Sequence, residues 1–170
     1  MRTLCSLLLG TLVAAPAAAQ QSHAAPCSTA EYRQFDFWVG DWEVVDSAGK
    51  VLGHNRITSE LNGCVVHEHW TGAGGASGES FNIFRRDTRT WHQSWVDSGG
   101  NLLLLEGTLD GDVMVLRGET PAPAGGRRQH RISYRPLEGG QVRQLWEVSG
   151  DGGATWTVSF DGTYRRQGQG

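Results

Sequence analysis

Trp91-His92-Gln93-Ser94-Trp95-Val96-Asp97-Ser98-Gly99-Gly100 alternates with a period of two and then ends in a turn. In an extended segment Trp91, Gln93, Trp95 and Asp97 share one face, and His92, Ser94 and Val96 share the other. The Ser-Gly-Gly that follows is turn chemistry, so the unit reads as a strand running into a tight connection. The tryptophan face is expected inward, because each indole carries a large apolar area, and His92 is expected outward. Similar units lie downstream. Val142, Gln144, Trp146 and Val148 alternate with Arg143, Leu145 and Glu147, and Ser149-Gly150 follows. Trp156, Val158, Phe160, Gly162 and Tyr164 alternate with Thr157, Ser159 and Asp161. Gln93-Ser94-Trp95 and Gln144-Leu145-Trp146 form a short echo, which suggests two strands presenting Gln and Trp to one space.

Turn clusters punctuate the rest of the chain at 47–50, 62–63, 72–78, 86–88, 98–100, 110–112, 121–126, 138–140 and 149–153. The segments between them are short and rich in Val, Ile, Leu, Thr and Trp. They predict about ten strands and an all-β fold. Tight turns favour pairing of sequential neighbours, hence a single antiparallel up-and-down β-barrel with a short N-terminal helix. Ser28 is the expected N-cap of that helix, which would carry Ala30 to Arg33. Two segments do not declare their inward face. Residues 102–105 are apolar on both sides. In 79–85, apolar content favours Phe81 and Ile83 inward, whereas a polar lining favours Ser80 and Asn82.

The chain has 170 residues, 15 Lys and Arg against 18 Asp and Glu, and a formal net charge of −3. That balance argues against a nucleic-acid partner, since no excess positive charge is available to neutralise phosphates. Seven Trp, five Phe and three Tyr supply a core and argue against disorder. Glycine, at 24 residues, is about twice its usual share. Arg2, the apolar run from Leu4 to Ala15 and the small residues Ala17-Ala18-Ala19 read as a secretory signal peptide over 1–19. A flexible segment over 20–30 and a barrel domain over 31–166 are expected to follow. The leading apolar run is too short for a bilayer span. A periplasmic or secreted location is therefore expected. Cys27 and Cys64 would then be an isolated pair in an oxidising compartment, expected to form a disulfide. On the chain-entropy model, closing that loop contributes about 4 kcal/mol.

Several stretches resemble known families. FDFWVGDWEV at 35–44, HEHW at 67–70, GESFNIF at 78–84 and WHQSWVDSGG at 91–100 resemble an uncharacterised family of secreted bacterial lipocalin-like (calycin) β-barrels. Within the first stretch, Gly40-Asp41-Trp42 is the G-x-W typical of lipocalin-like openings. The resemblance runs from about Tyr32 to Arg165 and implies a barrel enclosing a small cavity. Nitrobindin-type barrels share the G-x-W and hold haem through a late histidine. Here the last histidine is His130 and the segment 155–165 has none, so no cofactor is expected. Ser149-Gly150-Asp151-Gly152-Gly153-Ala154-Thr155-Trp156 resembles the Asp-box hairpin of sialidase propellers, which implies a structural turn.

The inward phase of 66–70 places Glu68 beside Trp70. A buried carboxyl requires hydrogen-bond partners, and Asn82, Gln93 and Gln144 carry suitable amides. The candidate ligand-binding set is Glu68, Trp70, Asn82, Trp91, Gln93, Trp95, Gln144 and Trp146. Its expected partner is a small, partly apolar molecule. An enzyme of isomerase or hydrolase type using Glu68 as general base is an alternative, and a structural or protein-interaction domain is another. No G-x-S-x-G, P-loop or dinucleotide fingerprint is present in the sequence. His67 and His69 share a strand face, but that face is out of phase with Trp70, and Glu79 lies twelve and ten residues away in sequence. No metal is expected, and the oligomeric state is left open.

Overall fold

A computed structural model describes residues 25–123 and 125–168; the expected signal peptide lies outside the described residues. Ten strands form: β1 Gly40–Val45, β2 Val51–Glu60, β3 Val65–Gly72, β4 Ser77–Arg85, β5 Thr90–Asp97, β6 Leu102–Asp110, β7 Val113–Pro121, β8 Arg127–Pro136, β9 Val142–Ser149 and β10 Thr157–Arg166. Each pairs antiparallel with its sequence neighbours, and β1 pairs with β10 to close the barrel. Closure removes the open sheet edges that would otherwise invite association. Among the described residues no helix is long and apolar enough to cross a membrane.

The alternation read at Trp91–Asp97 holds: Trp91 and Gln93 are buried inward, Trp95 is partly buried, and His92 lies on the outer face. The undecided segments also resolve. Ser80 and Asn82 point inward and are fully buried, while Phe81 is 52% exposed outside. The polar lining wins because Glu68, opposite Ser80, needs a donor. In β6, Leu103 and Leu105 enter the core and Leu102 and Leu104 face out.

One expected face breaks. The register of β10 against β9 shifts between Val158 and Phe160. This bulge returns Phe160, Gly162 and Tyr164 to the interior and leaves Val158 outside, 57% exposed. Trp156 precedes β10 and belongs to the turn. There Ser149 Oγ accepts from Gly153 N at 2.9 Å, Asp151 accepts from Thr155 N at 2.9 Å, and Trp156 Nε1 donates to Gly153 O at 3.1 Å. The motif is a structural hairpin.

The N-terminal segment seals one end. In place of an α-helix it forms two 3₁₀ turns, Ala30–Arg33 and Asp36–Trp38. Thr29 takes the N-cap position expected for Ser28, whose hydroxyl instead donates to Ala25 O at 2.7 Å. The three-residue repeat of the second turn stacks Phe35 on Trp38, centroids 4.9 Å apart. Both side chains are fully buried against Tyr134. Tethers hold this plug. The Cys27–Cys64 disulfide joins it to the start of β3, Glu31 pairs with Arg89 in the β4–β5 turn at 2.8 Å, and Trp91 Nε1 donates to Gln34 at 3.1 Å.

Candidate functional site

A layer of polar side chains crosses the barrel above the plug. Asn55 of β2 donates to Glu68 Oε1 at 2.7 Å and to the Tyr164 hydroxyl at 3.2 Å. Tyr164 donates to Gln144 Oε1, and Gln144 Nε2 donates to the Tyr134 hydroxyl at 3.5 Å. Gln93 Nε2 donates to the same hydroxyl at 3.2 Å and to Ser80 Oγ at 3.3 Å. Ser80 donates to Glu68 Oε2 at 2.6 Å and closes the ring. Seven residues from seven strands thus bond to one another in a region where an unpaired polar group is costly, and Asn55 Oδ1 stays buried without a partner.

Glu68 is buried, and desolvation pushes its carboxyl up to about 7 against the opposing pull of Ser80, Asn55 and the nearby His67. Burial, reinforced by the Glu68 charge, also raises Tyr134 and Tyr164 well above the ordinary phenol range. Both tyrosines are therefore neutral hydroxyls at neutral pH.

Above this layer is a cavity of about 150 Å³. Glu68, Gln93, Gln144, Tyr134 and Tyr164 form its polar wall; Trp70, Trp95, Trp146, Phe160, Leu103 and Ile132 form the apolar one. The four larger aromatics are only partly buried, so the barrel is open at this end. Glycines set their tilt. A Cβ on Gly78 would strike the Trp95 ring, and one on Gly53 would strike the Trp70 ring, so each indole lies across a neighbouring strand. Part of the glycine excess thus serves close approach within strands. Trp146 is fixed differently: its Nε1 donates to His130 Nδ1 at 3.1 Å, while His130 Nε2 meets Thr120 Oγ1 at 2.8 Å. Burial, with Arg128 adding to it, lowers the His130 pKa, in keeping with a neutral ring. Both of its nitrogens are engaged, so His130 does not fit the role of an axial haem ligand.

Six of the eight residues expected from sequence line the cavity: Glu68, Trp70, Gln93, Trp95, Gln144 and Trp146. The echoed Gln-x-Trp units do meet there. Two residues lie elsewhere. Trp91 packs against Phe35 and Phe84 in the sealed end. Asn82 sits one layer below Glu68 and donates to Val66 O and Ser80 Oγ, each at 3.0 Å. The direct donors to Glu68 are Asn55, which the sequence did not mark, and Ser80, which it offered only as one of two inward readings of 79–85. Tyr134 was missed as well, although it shares a strand face with Ile132 and His130, alternating with Arg131, Ser133 and Arg135.

His67 and His69 face outward as expected, but His67 is buried on the outer surface, only 8% exposed. Glu79, distant in sequence, stands opposite His69 through the β3–β4 register. Against protein-family models and proteins of curated function, the sequence matches none.

Proposed function

We propose that this barrel binds a small, partly apolar molecule through its open end. The observation that carries the reading is the cavity of about 150 Å³, with aromatic walls and a hydrogen-bonding wall of Gln93, Gln144, Tyr134, Tyr164 and Glu68. Apolar walls with a few convergent polar groups are what a small-molecule pocket requires. A cavity of roughly 150 Å³ accepts a benzene-sized group. Tyr134 accepts from two amides and keeps its own O–H to offer a ligand. The ligand class is therefore a single ring or short chain carrying one acceptor, such as a carbonyl or ether oxygen. Such a barrel is in keeping with the lipocalin-like family, and the disulfide supports export to an oxidising compartment.

The test is intrinsic tryptophan fluorescence against a library of small aromatic carbonyls, ethers and alkanes. Wild type should bind the first two in preference to alkanes of equal size. Gln93→Leu should weaken binding about tenfold, the cost of one hydrogen bond. Its melting temperature should stay near wild type, because Glu68 keeps Asn55 and Ser80. If no compound binds, or the variant binds all of them as wild type does, the reading fails.

A second reading is favoured by Glu68, a buried carboxyl on the cavity wall: the cavity turns over its ligand with Glu68 as general base. Glu68→Gln separates the two. A binder keeps most of its affinity, whereas an enzyme binds the ligand and fails to convert it.

A further inference from the structure

Outside the barrel, back to back with Glu68, a second cluster gathers on the face shared by β2, β3 and β4. His67 and His69 are two residues apart on β3, with ring centroids 3.9 Å apart. Glu60, at the end of β2, brings Oε1 to 3.4 Å from His67 Nδ1. Glu79 of β4 approaches the other side: its Oε2 is 3.2 Å from His67 Nε2 and its Oε1 is 3.5 Å from His69 Nδ1. One ligand atom each from Glu60, His67 and His69 lies within 4.8 Å of the other two.

His67 is held as a metal ligand is held. Its ring stacks on Phe81 at 4.2 Å with a 16° interplanar angle. A histidine that binds metal through one nitrogen usually donates its other N–H to a carboxylate, which fixes the tautomer. Glu79 stands at that place, 3.2 Å from Nε2; in the tautomer that donates there, the Nδ1 lone pair faces the Glu60 carboxylate. In that tautomer two acceptors 3.4 Å apart need a cation between them, either a second ring proton, which makes an imidazolium paired with both carboxylates, or a metal ion. A proton bridges two atoms, whereas here a third donor residue, His69, brings a ligand atom within 4.8 Å of the other two. Thr58 steers Glu60 by donating to its Oε1 at 2.7 Å. Arg56, opposite His69, leans toward Asp41 at 4.0 Å.

We infer that Glu60, His67 and His69 form a binding site for a borderline divalent transition metal of the zinc class, with His67 bonding through Nδ1 and Glu79 as its outer hydrogen-bond partner. Two imidazoles and one carboxylate suit Zn²⁺ and exclude calcium and magnesium, which take oxygen ligands. Donors bonded at 2.0–2.1 Å in a tetrahedron stand about 3.3 Å apart. The Glu60–His67 spacing matches that figure, and the half-exposed His69 closes the remaining distance by rotating its side chain. Three protein ligands leave a fourth position for water or an exogenous donor.

The test is calorimetric titration of untagged protein, its disulfide intact, with Zn²⁺ alone. The expected result is one equivalent bound, with affinity reduced at least tenfold by His67→Ala and by His69→Ala. Glu79→Gln should reduce it by about 10- to 100-fold, the usual effect of losing an outer partner. His92→Ala, on β5, is the control and should bind as wild type. Because His67 packs on Phe81, Glu60→Gln and His69→Ala provide a second arm on half-exposed side chains whose loss leaves the fold intact. Co²⁺ should give visible absorption that Zn²⁺ displaces. Absence of saturable binding, or binding that survives both His69→Ala and Glu60→Gln, would overturn the site.

Discussion

At one end of the barrel Trp42 and Trp91 are sealed beneath N-terminal turns that themselves contribute Trp38; at the other, Trp70, Trp95 and Trp146 stand partly exposed around a cavity. The residue type is the same, and β5 contributes one tryptophan to each end. What differs is the cover. Phe35 and Trp38 fill the sealed end from within, tied down by the disulfide, the Glu31–Arg89 pair and the Trp91–Gln34 bond. At the open end the indoles lean over glycines or onto His130, and their outer faces meet solvent. An aromatic-rich barrel therefore divides into a half that contributes stability and a half that contributes a surface for a ligand.

The sharpest way to break that division is to delete one indole from each half. Trp38→Ala removes a fully buried ring that contacts Phe35, Tyr134 and Tyr164. It should cost about 5 kcal/mol, the upper end for truncating a large core residue. Trp146→Ala, at the open rim, should cost less than half of that and abolish ligand-induced fluorescence change. Urea unfolding of the two variants checks this. Equal costs would mean that the open end is as much core as the sealed one.

Removing the tether should come next in size. Cys27→Ala with Cys64→Ala frees the plug from β3 and lengthens the accessible unfolded chain. The expected loss is about 4 kcal/mol by denaturant titration. Hydrogen exchange should rise first in β1 and the early part of β3, at the sealed end, and only slightly in β9. Faster exchange at the open end instead would show that the plug does not act locally.

The strand face at Trp91–Asp97 was legible because one alternation and one turn sufficed. So was the disulfide, an isolated pair. Which tryptophans line the cavity was not legible, because phase tells inward from outward and says nothing of height along the barrel axis. Trp91 and Trp95 have the same phase and opposite fates. The donors to Glu68 were hidden for a related reason. Asn55 and Ser80 reach it across the β2–β3 and β3–β4 pairings, and that register follows from the turns on either side. The distance from His67 to Glu79 collapsed in the same way. Residues twelve apart in sequence became neighbours on adjacent strands.

The polar layer between the two halves gives a pH signature. Burial pushes folded Glu68 up to about 7, whereas the unfolded carboxyl keeps its ordinary value of 4.5. Between those values the folded protein holds a proton that the unfolded chain has lost. Stability is therefore greatest below the unfolded value and falls as pH rises through the folded one, levelling off above it. The change is on the order of 3 kcal/mol. It should be measured in EDTA, so that no cation beside His67 contributes to the field. Glu68→Gln should remove this slope. A slope that persists in the variant would assign the titration to another group and leave Glu68 ionised throughout.

The smallest effect concerns the rim itself. The hairpin from Ser149 to Trp156 joins β9 to β10 beside Trp146 and Phe160, so it borders the mouth of the cavity. Ser149 Oγ accepts from the Gly153 amide at 2.9 Å and donates to Asp151 at 2.7 Å. Asp151 in turn holds the Thr155 amide and hydroxyl, and these bonds, the Thr155 hydroxyl first, keep its carboxyl far below the usual range. Ser149→Ala removes the shared hydroxyl and leaves the Gly153 amide without its partner. The expected cost is about 1 kcal/mol, the net value of one such bond. If the two ends are energetically distinct, that loss stays local. Amide exchange should quicken at Gly153 and Thr155 while Tyr164, in the polar layer farther along β10, keeps its protection. Exchange rising equally along β10 would mean that the barrel opens as one unit, and the contrast between a stable half and a binding half would then lie in burial alone.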